Sequence, residues 1–444
     1  MTPPGPAHPP PRERPDGAGS DAYASYVLGV LFACYVFNWV DRNVLAILLA
    51  PMKAELGVSD TAMGFLSGLA FALFYTVLGI PIARWADLGN RRSILALGIA
   101  LWSAMTVVCG LARSFTGLAL ARVGVGVGEA AGSPASHSLI SDYFRPERRG
   151  RALSVYAMGN YAGHFVAFVI GGWVNEHYGW RTTFFVMGVP GLLLALLVRL
   201  TVREPPRGAF DGASGAEPRA GIGEVLRFLA RQRSYLYINL AGSLNALVGY
   251  GFGIWGPTFF MRVHEMGTAE VGLWLGWLGP LGGLTGTFAG GLLIDRLAGR
   301  DGRWYLWIPA ASAIVSVPIS MLLLLGAKPL ALALYAPHSL LFALYIGPMF
   351  AAMQGVAPPR MRALTVAIHL LAVNLLGLGA GPLVVGALND LLNAEHGAGA
   401  VRYSLLLVSA TGLASSALFL AGARSVRRDL RAAQLPAAGV AAAR

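Results

Sequence analysis

Charged side chains are scarce in this chain of 444 residues: Asp, Glu, Lys and Arg make up 13% of it, against about 25% in an average soluble protein. Cysteine is rarer still, and Cys34 and Cys109 both lie in apolar segments, so no disulfide framework is expected. A water-soluble enzyme of this length could not cover its domains with so few charges, since 55% of the residues are apolar and the mean hydropathy is +0.59. The composition therefore predicts an all-α polytopic membrane protein.

Twelve apolar segments follow one another along the chain, each of about the 20 residues that a helix needs to cross a bilayer. They are numbered here as spans 1 to 12 and lie at 23–50, 61–84, 93–112, 116–144, 151–175, 180–202, 234–263, 270–297, 304–327, 330–353, 363–391 and 401–423. The sequence predicts two six-helix bundles, 23–202 and 234–423, joined by a linker at 203–233 and flanked by tails at 1–22 and 424–444. The first tail is rich in Pro and Gly and is predicted to be disordered.

Basic residues are distributed unevenly between the loops. Of the 34 Lys and Arg residues, 26 fall in the two tails or in the even-numbered loops and the span ends beside them, six fall in the odd-numbered loops and the span ends beside them, and two, Arg42 and Arg122, lie deep inside spans. Basic loops stay on the cytoplasmic side, so both termini and the linker are predicted to be cytoplasmic. The net charge of +12 then reflects topology and attraction to anionic lipids, and no nucleic-acid partner is expected. The preference for Arg over Lys fits a GC-rich bacterial genome and hence a bacterial inner membrane.

The two halves carry a repeated feature. Asp87 ends span 2 just ahead of Arg91 and Arg92, and Asp295 ends span 8 just ahead of Arg296, about half a chain length later. Two six-helix halves related by duplication are typical of transporters that bind substrate near the midplane, between the halves.

Four charged residues lie deep in apolar spans, where a charge costs about 2.5–3.5 kcal/mol. Span 1 carries Asp41 and Arg42, and span 4 carries Arg122 and Glu129. Arg122 and Glu129 are two helical turns apart and share a face. The four could form a static cluster that holds spans 1 and 4 together, or they could serve transport.

A carboxylate that exchanges partners changes its affinity for protons with conformation, because burial and a nearby arginine act on it in opposite directions. We therefore predict that Asp41 carries the coupled proton, with Glu129 as second candidate, and that both border a water-accessible cavity. Arg42 and Arg122 would be their charge partners or would contact an anionic head group.

Other polar residues in the spans are weaker candidates. They are predicted to line the cavity, although each could instead form a hydrogen bond between helices: Asn38, Asn160, His164, Asn245 and Asn374. The sequence contains no zinc-ligand spacing, no Walker loop and no hydrolase triad, so no metal, cofactor or ATP-driven step is expected.

The layout and the loop after span 2 resemble the major facilitator superfamily. Its loop motif, Gly-x-x-x-Asp-Arg-x-Gly-Arg-Arg, is matched in part at Asp87, Arg91 and Arg92, and a closer second copy begins at Gly291 and includes Asp295. The resemblance implies that Asp87, Arg91, Arg92 and Asp295 form a cytoplasmic gate that is closed in the outward-open state.

Four further motifs are similar to the spinster-type branch: Asn38-Trp-Val-Asp41-Arg42, Gly126-Val-Gly128-Glu129-Ala130, Gly179-Trp180-Arg181, and the stretch from Asn374 through Pro382 to Gly386 and Asp390. This branch implies proton-coupled, alternating-access transport of an amphiphile that is similar to a lysophospholipid or a sphingosine phosphate, by a monomer in contact with membrane lipids. The alternatives are a proton-coupled transporter of organic anions or drugs and, more remotely, a membrane-embedded lipid enzyme or a sensor.

Overall fold

The computed structural model describes residues 20–208, 210 and 220–434, with all side chains except those of Ala83, Asp87 and Gln434. Of the two predicted tails, residues 1–19 and 435–444 lie outside this range. Within it every regular element is a helix and no strand occurs, which confirms the predicted all-α class.

The first half of the chain contains the predicted spans 1 to 6. Their helices are Asp21–Leu56, Asp60–Ser67 continued by Leu69–Leu88, Arg91–Leu111, Phe115–Glu129 continued by Gly132–Tyr143, Pro146–Ala157, and Gly159–Thr201. The last of these contains both the end of span 5 and the whole of span 6. The helix breaks between them at Gly179, whose φ of +81° is one that residues with a Cβ rarely adopt.

The second half begins with a short helix in the linker, Ile222–Arg231, and continues with spans 7 to 12. Their helices are Arg233–Val263, Thr268–Leu297, Trp304–Leu325, Lys328–Leu344 continued by Ile346–Gly355, Arg362–Ala372 continued by the π-helical Val373–Gly379 and by Ala380–His396, and Ala400–Gln434. Single 3₁₀ turns at Pro359–Met361 and Gly397–Gly399 lead into the last two spans.

Length and apolar composition identify eight helical stretches of the described residues as candidate membrane crossings. Two of them, Pro146–Thr201 and Pro359–Ala433, each contain two predicted spans. Spans 4 and 7 are not among the eight: span 4 is interrupted into helices of 15 and 12 residues, and polar residues and glycines dilute the apolar character of span 7. The stretches therefore account for ten of the twelve predicted spans, and the remaining two are helices at the predicted positions.

Span 12 continues beyond residue 423, where the sequence analysis placed the start of a tail, and runs to Gln434. The extension is held because the carboxylate of Asp429 accepts hydrogen bonds from the backbone and hydroxyl of Ser234 at 3.2 and 2.7 Å. Arg427 binds Asp301, and this contact lowers the pKa of Asp301 below its usual value. Val225 and Leu229 of the linker helix belong to one apolar cluster with Val426 of this extension.

The two bundles contact each other at one end of the molecule and near mid-span. The end that carries the linker and the even-numbered loops is called the arginine-rich face, and the end that carries the odd-numbered loops is called the opposite face. The described hydrogen bonds that join the bundles lie at the opposite face, as between Arg262 and Asp60, or near mid-span, as between Tyr161 and Thr287. The largest apolar cluster likewise draws on both bundles, with Phe168 and Phe259 among its members. The structure is therefore closed at the opposite face.

Spans 8 and 10 pack backbone against backbone along a row of glycines in span 8, namely Gly282, Gly286 and Gly290. A Cβ on any of them would lie 2.1–2.4 Å from a main-chain oxygen of span 10. Small residues at four-residue spacing allow this approach between membrane helices.

We expect Gly286→Ala to lower the unfolding temperature of the purified protein, because the new methyl group would meet the carbonyl oxygen of Leu340 at 2.1 Å. Overpacking of this kind typically costs about 1–3 kcal/mol. Gly291→Ala is the matched control, since no heavy atom lies within 4 Å of a Cβ at that position. Equal unfolding temperatures for the two variants would contradict this account of the packing.

Candidate functional site

Spans 1 and 4 bring their charges together. The Nε atom of Arg42 donates to the Oε2 atom of Glu129 at 2.6 Å, and this ion pair lies inside the N-terminal bundle. The side chain of Glu129 is fully buried and that of Arg42 is 15% exposed. A cluster of these charges was one of the two possibilities left open by the sequence, and the structure shows which arginine binds which acid.

The other two charges complete the cluster. Arg122 donates from Nη1 to the main-chain oxygen of Asp41 at 3.1 Å, and the Asp41 side chain is buried. The carboxylates of Asp41 and Glu129 are close enough to interact electrostatically, and Arg122 acts on both. All four residues that the sequence singled out therefore meet in one buried place.

Aromatic rings surround the two guanidinium groups. The Arg42 guanidinium lies 5.3 Å from the ring centres of Trp39 and Phe71 and 4.5 Å from that of Tyr75. Arg122 lies 5.4 Å from the same Phe71 ring, so this ring contacts both cations. Such cation–π contacts partly compensate for the lost hydration of a buried arginine. These rings carry no distinctive signal in the sequence, since aromatic residues are common in membrane helices.

Several polar atoms of the cluster have no hydrogen-bond partner among the described residues. They include Oδ1 of Asp41, Oε1 of Glu129 and Nε of Arg122. Buried polar atoms in folded proteins are nearly always satisfied, by protein groups or by water. The two carboxylate oxygens can therefore accept a further hydrogen bond, and the Arg122 nitrogen can donate one.

The carboxylates do not border open space in this conformation, contrary to the prediction from sequence. Asp41 and Glu129 are each 1% exposed, and the Arg42 side chain, at 15%, is the more exposed member of its pair. Arg42 also interacts electrostatically with Tyr250 of span 7, which belongs to the C-terminal bundle.

A cavity of about 270 Å³ lies between the bundles. Span 5 contributes Asn160, Tyr161 and His164 to its wall, and the other lining residues come from spans 7, 8 and 10. These are Gly249, Phe252, Gly253, Gly279, Pro280, Tyr335, His338, Ser339, Phe342, Ala343 and Ile346.

Two of the five predicted lining residues, Asn160 and His164, line this cavity. Asn38 and Asn245 are buried elsewhere in the two bundles, and Asn374 is half-buried on the π-helical turn of span 11. His338 was missed, although an ionisable residue in an apolar span is the same signal that identified His164.

Of the predicted cytoplasmic gate residues, the two arginines bind partners in the N-terminal bundle and the linker, and Asp295 is exposed. Arg91 is buried and binds Asp142 of span 4 and Glu204 of the linker, and the backbone nitrogen of Arg92 donates to Glu204 at 2.9 Å. Asp295 is exposed, and the side chain of Asp87 lies outside the described residues. In this conformation Arg91 and Arg92 hold the start of the linker against the N-terminal bundle.

A second charged cluster closes the opposite face. Asp60, at the start of span 2, pairs with Lys53 at 2.6 Å and receives two hydrogen bonds from Arg262 at 2.5 and 2.8 Å. The carboxylate of Asp390 in span 11 accepts from the backbone nitrogens of Asp60 and Thr61 at 3.0 and 2.8 Å. Since Arg262 and Asp390 belong to the C-terminal bundle, these bonds tie the two bundles together.

Comparison with known proteins gives one consistent family. The sequence profile of the Major Facilitator Superfamily matches residues 31–382. An MFS-type efflux pump of Mycolicibacterium smegmatis is 34% identical over 405 residues, which cover 91% of this chain and 93% of that protein. Protein spinster homolog 1 of Homo sapiens is 27% identical over 453 residues, which cover 95% of this chain and 84% of that protein.

Solved structures agree with the sequence comparison. A bacterial homolog of the human lysosomal transporter spinster, in an inward-facing and unoccupied conformation, matches with a TM-score of 0.86 and 31% identity, over 93% of this chain and 99% of that one. The same type of protein in an inward-facing and occupied conformation matches with a TM-score of 0.82. The D-xylose–proton symporter, at 17% identity and a TM-score of 0.67, shares the fold alone. The chain thus belongs to the major facilitator superfamily as a spinster-like member, with the twelve-helix arrangement of that fold, and is a membrane transporter rather than an enzyme.

Proposed function

We propose that this protein carries out proton-coupled secondary transport, by alternating access, of an amphiphilic small molecule that is similar to a lysophospholipid or a sphingosine phosphate. The observation that carries the proposal is the buried Arg42–Glu129 ion pair with the Asp41 carboxylate beside it. Two carboxylates and two arginines held out of water are costly, and they mark proton and substrate pathways in membrane proteins.

Proton coupling follows from the way Arg42 is held. Arg42 neutralises Glu129 within the N-terminal bundle and also interacts electrostatically with Tyr250 of span 7 in the other bundle. Relative motion of the bundles would change the surroundings of Arg42, weaken its bond to Glu129 and leave Glu129 and Asp41 as two neighbouring carboxylates. A proton on Asp41 removes the resulting repulsion, so proton uptake accompanies the motion. Arg42 and Arg122 would then be available to an anionic head group.

The alternating cycle assigns roles to the two ends of the molecule. We place the arginine-rich face in the cytoplasm of a bacterial cell, with the protein as a monomer in the inner membrane and both termini inside. The closed opposite face then makes this conformation inward-facing. In the outward-facing state Asp87, Arg91, Arg92 and Asp295 would close the cytoplasmic side, and Arg91 and Arg92 would first have to release Glu204.

The proposal is tested with the full-length protein in sealed proteoliposomes loaded with a radiolabelled lysophospholipid, or with sphingosine phosphate in a parallel series. An imposed pH gradient is expected to drive net flux, and nigericin, which dissipates the gradient, is expected to stop it. Flux that is unchanged by nigericin would rule out proton coupling, and the absence of flux for both lipids would rule out this substrate class.

A proton-coupled exporter of drugs or organic anions is the second candidate, and the similarity to an MFS-type efflux pump favours it. Here Arg42 and Arg122 would bind the anion directly. The same liposomes distinguish the two candidates, since a drug exporter would move a cationic dye or an organic anion against its gradient and leave the lysolipid in place.

A further inference from the structure

The cavity between the bundles is lined by two histidines, each with a buried Nε2 atom that has no hydrogen-bond partner among the described residues. His338 of span 10 is 3% exposed. His164 of span 5 is partly buried, and its other ring nitrogen, Nδ1, lies 3.3 Å from the Oδ1 atom of Asn43. Each bundle thus contributes one imidazole to a shared cavity.

The ring of His338 is held in place by its neighbours. It lies 4.1 Å from the Phe252 ring and 5.5 Å from the Phe342 ring, measured between centroids, and both rings line the same cavity. A buried polar atom without a partner costs about 1–3 kcal/mol, so an orphan nitrogen at a cavity wall is better explained by a ligand or water than by packing.

The remaining walls restrict the ligand. No Asp, Glu, Lys or Arg occurs among the described residues that line the cavity, so nothing there neutralises a full charge. The hydroxyl group of Tyr161 is already bonded to Thr287 at 2.7 Å. The polar groups left on the walls are the two imidazoles, the Asn160 amide and the hydroxyls of Ser339 and Tyr335, and of these only the imidazole Nε2 atoms are fully buried without a partner. Phe252, Tyr335 and Phe342 offer apolar surface to the body of the ligand.

From this arrangement we infer that the cavity is a binding subsite for an uncharged hydroxyl-bearing group on an apolar body, with His338 as its specificity-determining contact and His164 as a second one. The inference rests on the proposed function, because it treats the cavity as part of the transport pathway. The two ends of an amphiphile would then bind at different places: the hydroxylated apolar part binds in this cavity, and a charged head group would bind at Arg42 and Arg122.

The test compares 2-naphthol with naphthalene, which differ by one hydroxyl group, binding to the full-length protein in nanodiscs, with empty nanodiscs subtracted. Wild-type protein is expected to bind 2-naphthol about three- to tenfold more tightly, the effect of one hydrogen bond. His338→Phe should abolish this preference and retain naphthalene binding, and His338→Gln should keep most of the preference because it retains a polar side chain.

Gly253→Leu is the control for location, since nothing lies within 4 Å of a Cβ there and the leucine would fill the cavity. It should weaken the binding of both compounds. The inference is overturned if wild-type protein shows no preference, if His338→Phe keeps it, or if Gly253→Leu keeps full binding of 2-naphthol. Loss of pH-driven flux without loss of the preference would reject the proposed function alone.

Discussion

Asp41→Asn is expected to abolish the proton-driven accumulation of substrate and to leave substrate exchange intact. A pH gradient of one unit is worth about 1.4 kcal/mol per proton, which supports about tenfold accumulation for a carrier that couples one proton to one substrate. Asparagine has nearly the same shape as aspartate but neither gains nor loses a proton near neutral pH. The variant should therefore equilibrate substrate across the membrane without concentrating it.

The structure makes Asp41→Asn a specific test. Arg122 donates to the main-chain oxygen of Asp41, and the substitution leaves this bond in place. Fold and helix packing should thus survive, which an unchanged unfolding temperature would verify. Glu270→Gln removes a carboxylate that pairs with Lys328 near the opposite face, with both side chains about 40% exposed, and should leave accumulation at the wild-type level.

Two outcomes would contradict the assignment. Tenfold accumulation by Asp41→Asn would exclude Asp41 as the proton carrier. If Glu129→Gln alone abolished accumulation, Glu129 would take that role, and Arg42 would be its direct partner.

The positions of the spans could be predicted from the sequence because each span is marked by the composition of its own residues. About 20 apolar residues are needed per crossing, and the arginines follow the loops. The four charges of spans 1 and 4 stood out for the same reason, since burying a charge is costly wherever it occurs along the chain. The pairing of Arg42 with Glu129 could not be derived, because spacing along one helix says nothing about the angle at which a neighbouring helix packs.

Long-range contacts were missed for a related reason. The bond between Asp60 and Arg262 joins residues 202 positions apart, and neither one lies deep in an apolar run. Both sit near span ends, where charged residues are ordinary, so their local sequence does not mark them as partners. The glycines of span 8 are similar: Gly286 and Gly291 are alike in sequence, but only Gly286 touches the backbone of span 10.

Replacing Asp60 by asparagine is expected to open the opposite face. The Asp60 side chain is 3% exposed and pairs with Lys53 and Arg262, and of these two only Arg262 belongs to the other bundle. The cations left behind are 20% and 32% exposed, so the loss is closer to that of a hydrogen bond to a charged group, about 1.5–3 kcal/mol in the state that contains it. That state is the closed one described here, so the ratio of open to closed molecules should rise by roughly ten- to a hundredfold.

Spin labels at Arg113 and Ala327, exposed residues near the opposite face in different bundles, would report the change as a longer distance in pulsed electron resonance measurements. Glu55→Gln is the matched control. Glu55 binds Trp180 and Arg181, all within the N-terminal bundle, so its loss removes a similar charge contact without separating the bundles. An unchanged distance in Asp60→Asn would show that apolar packing within the cluster shared by the bundles, which includes Phe168 and Phe259, holds the face closed without the ion pair. A longer distance in Asp60→Asn together with a wild-type distance in Glu55→Gln would identify the Asp60–Arg262 bond as the contact that must break before the opposite face can open.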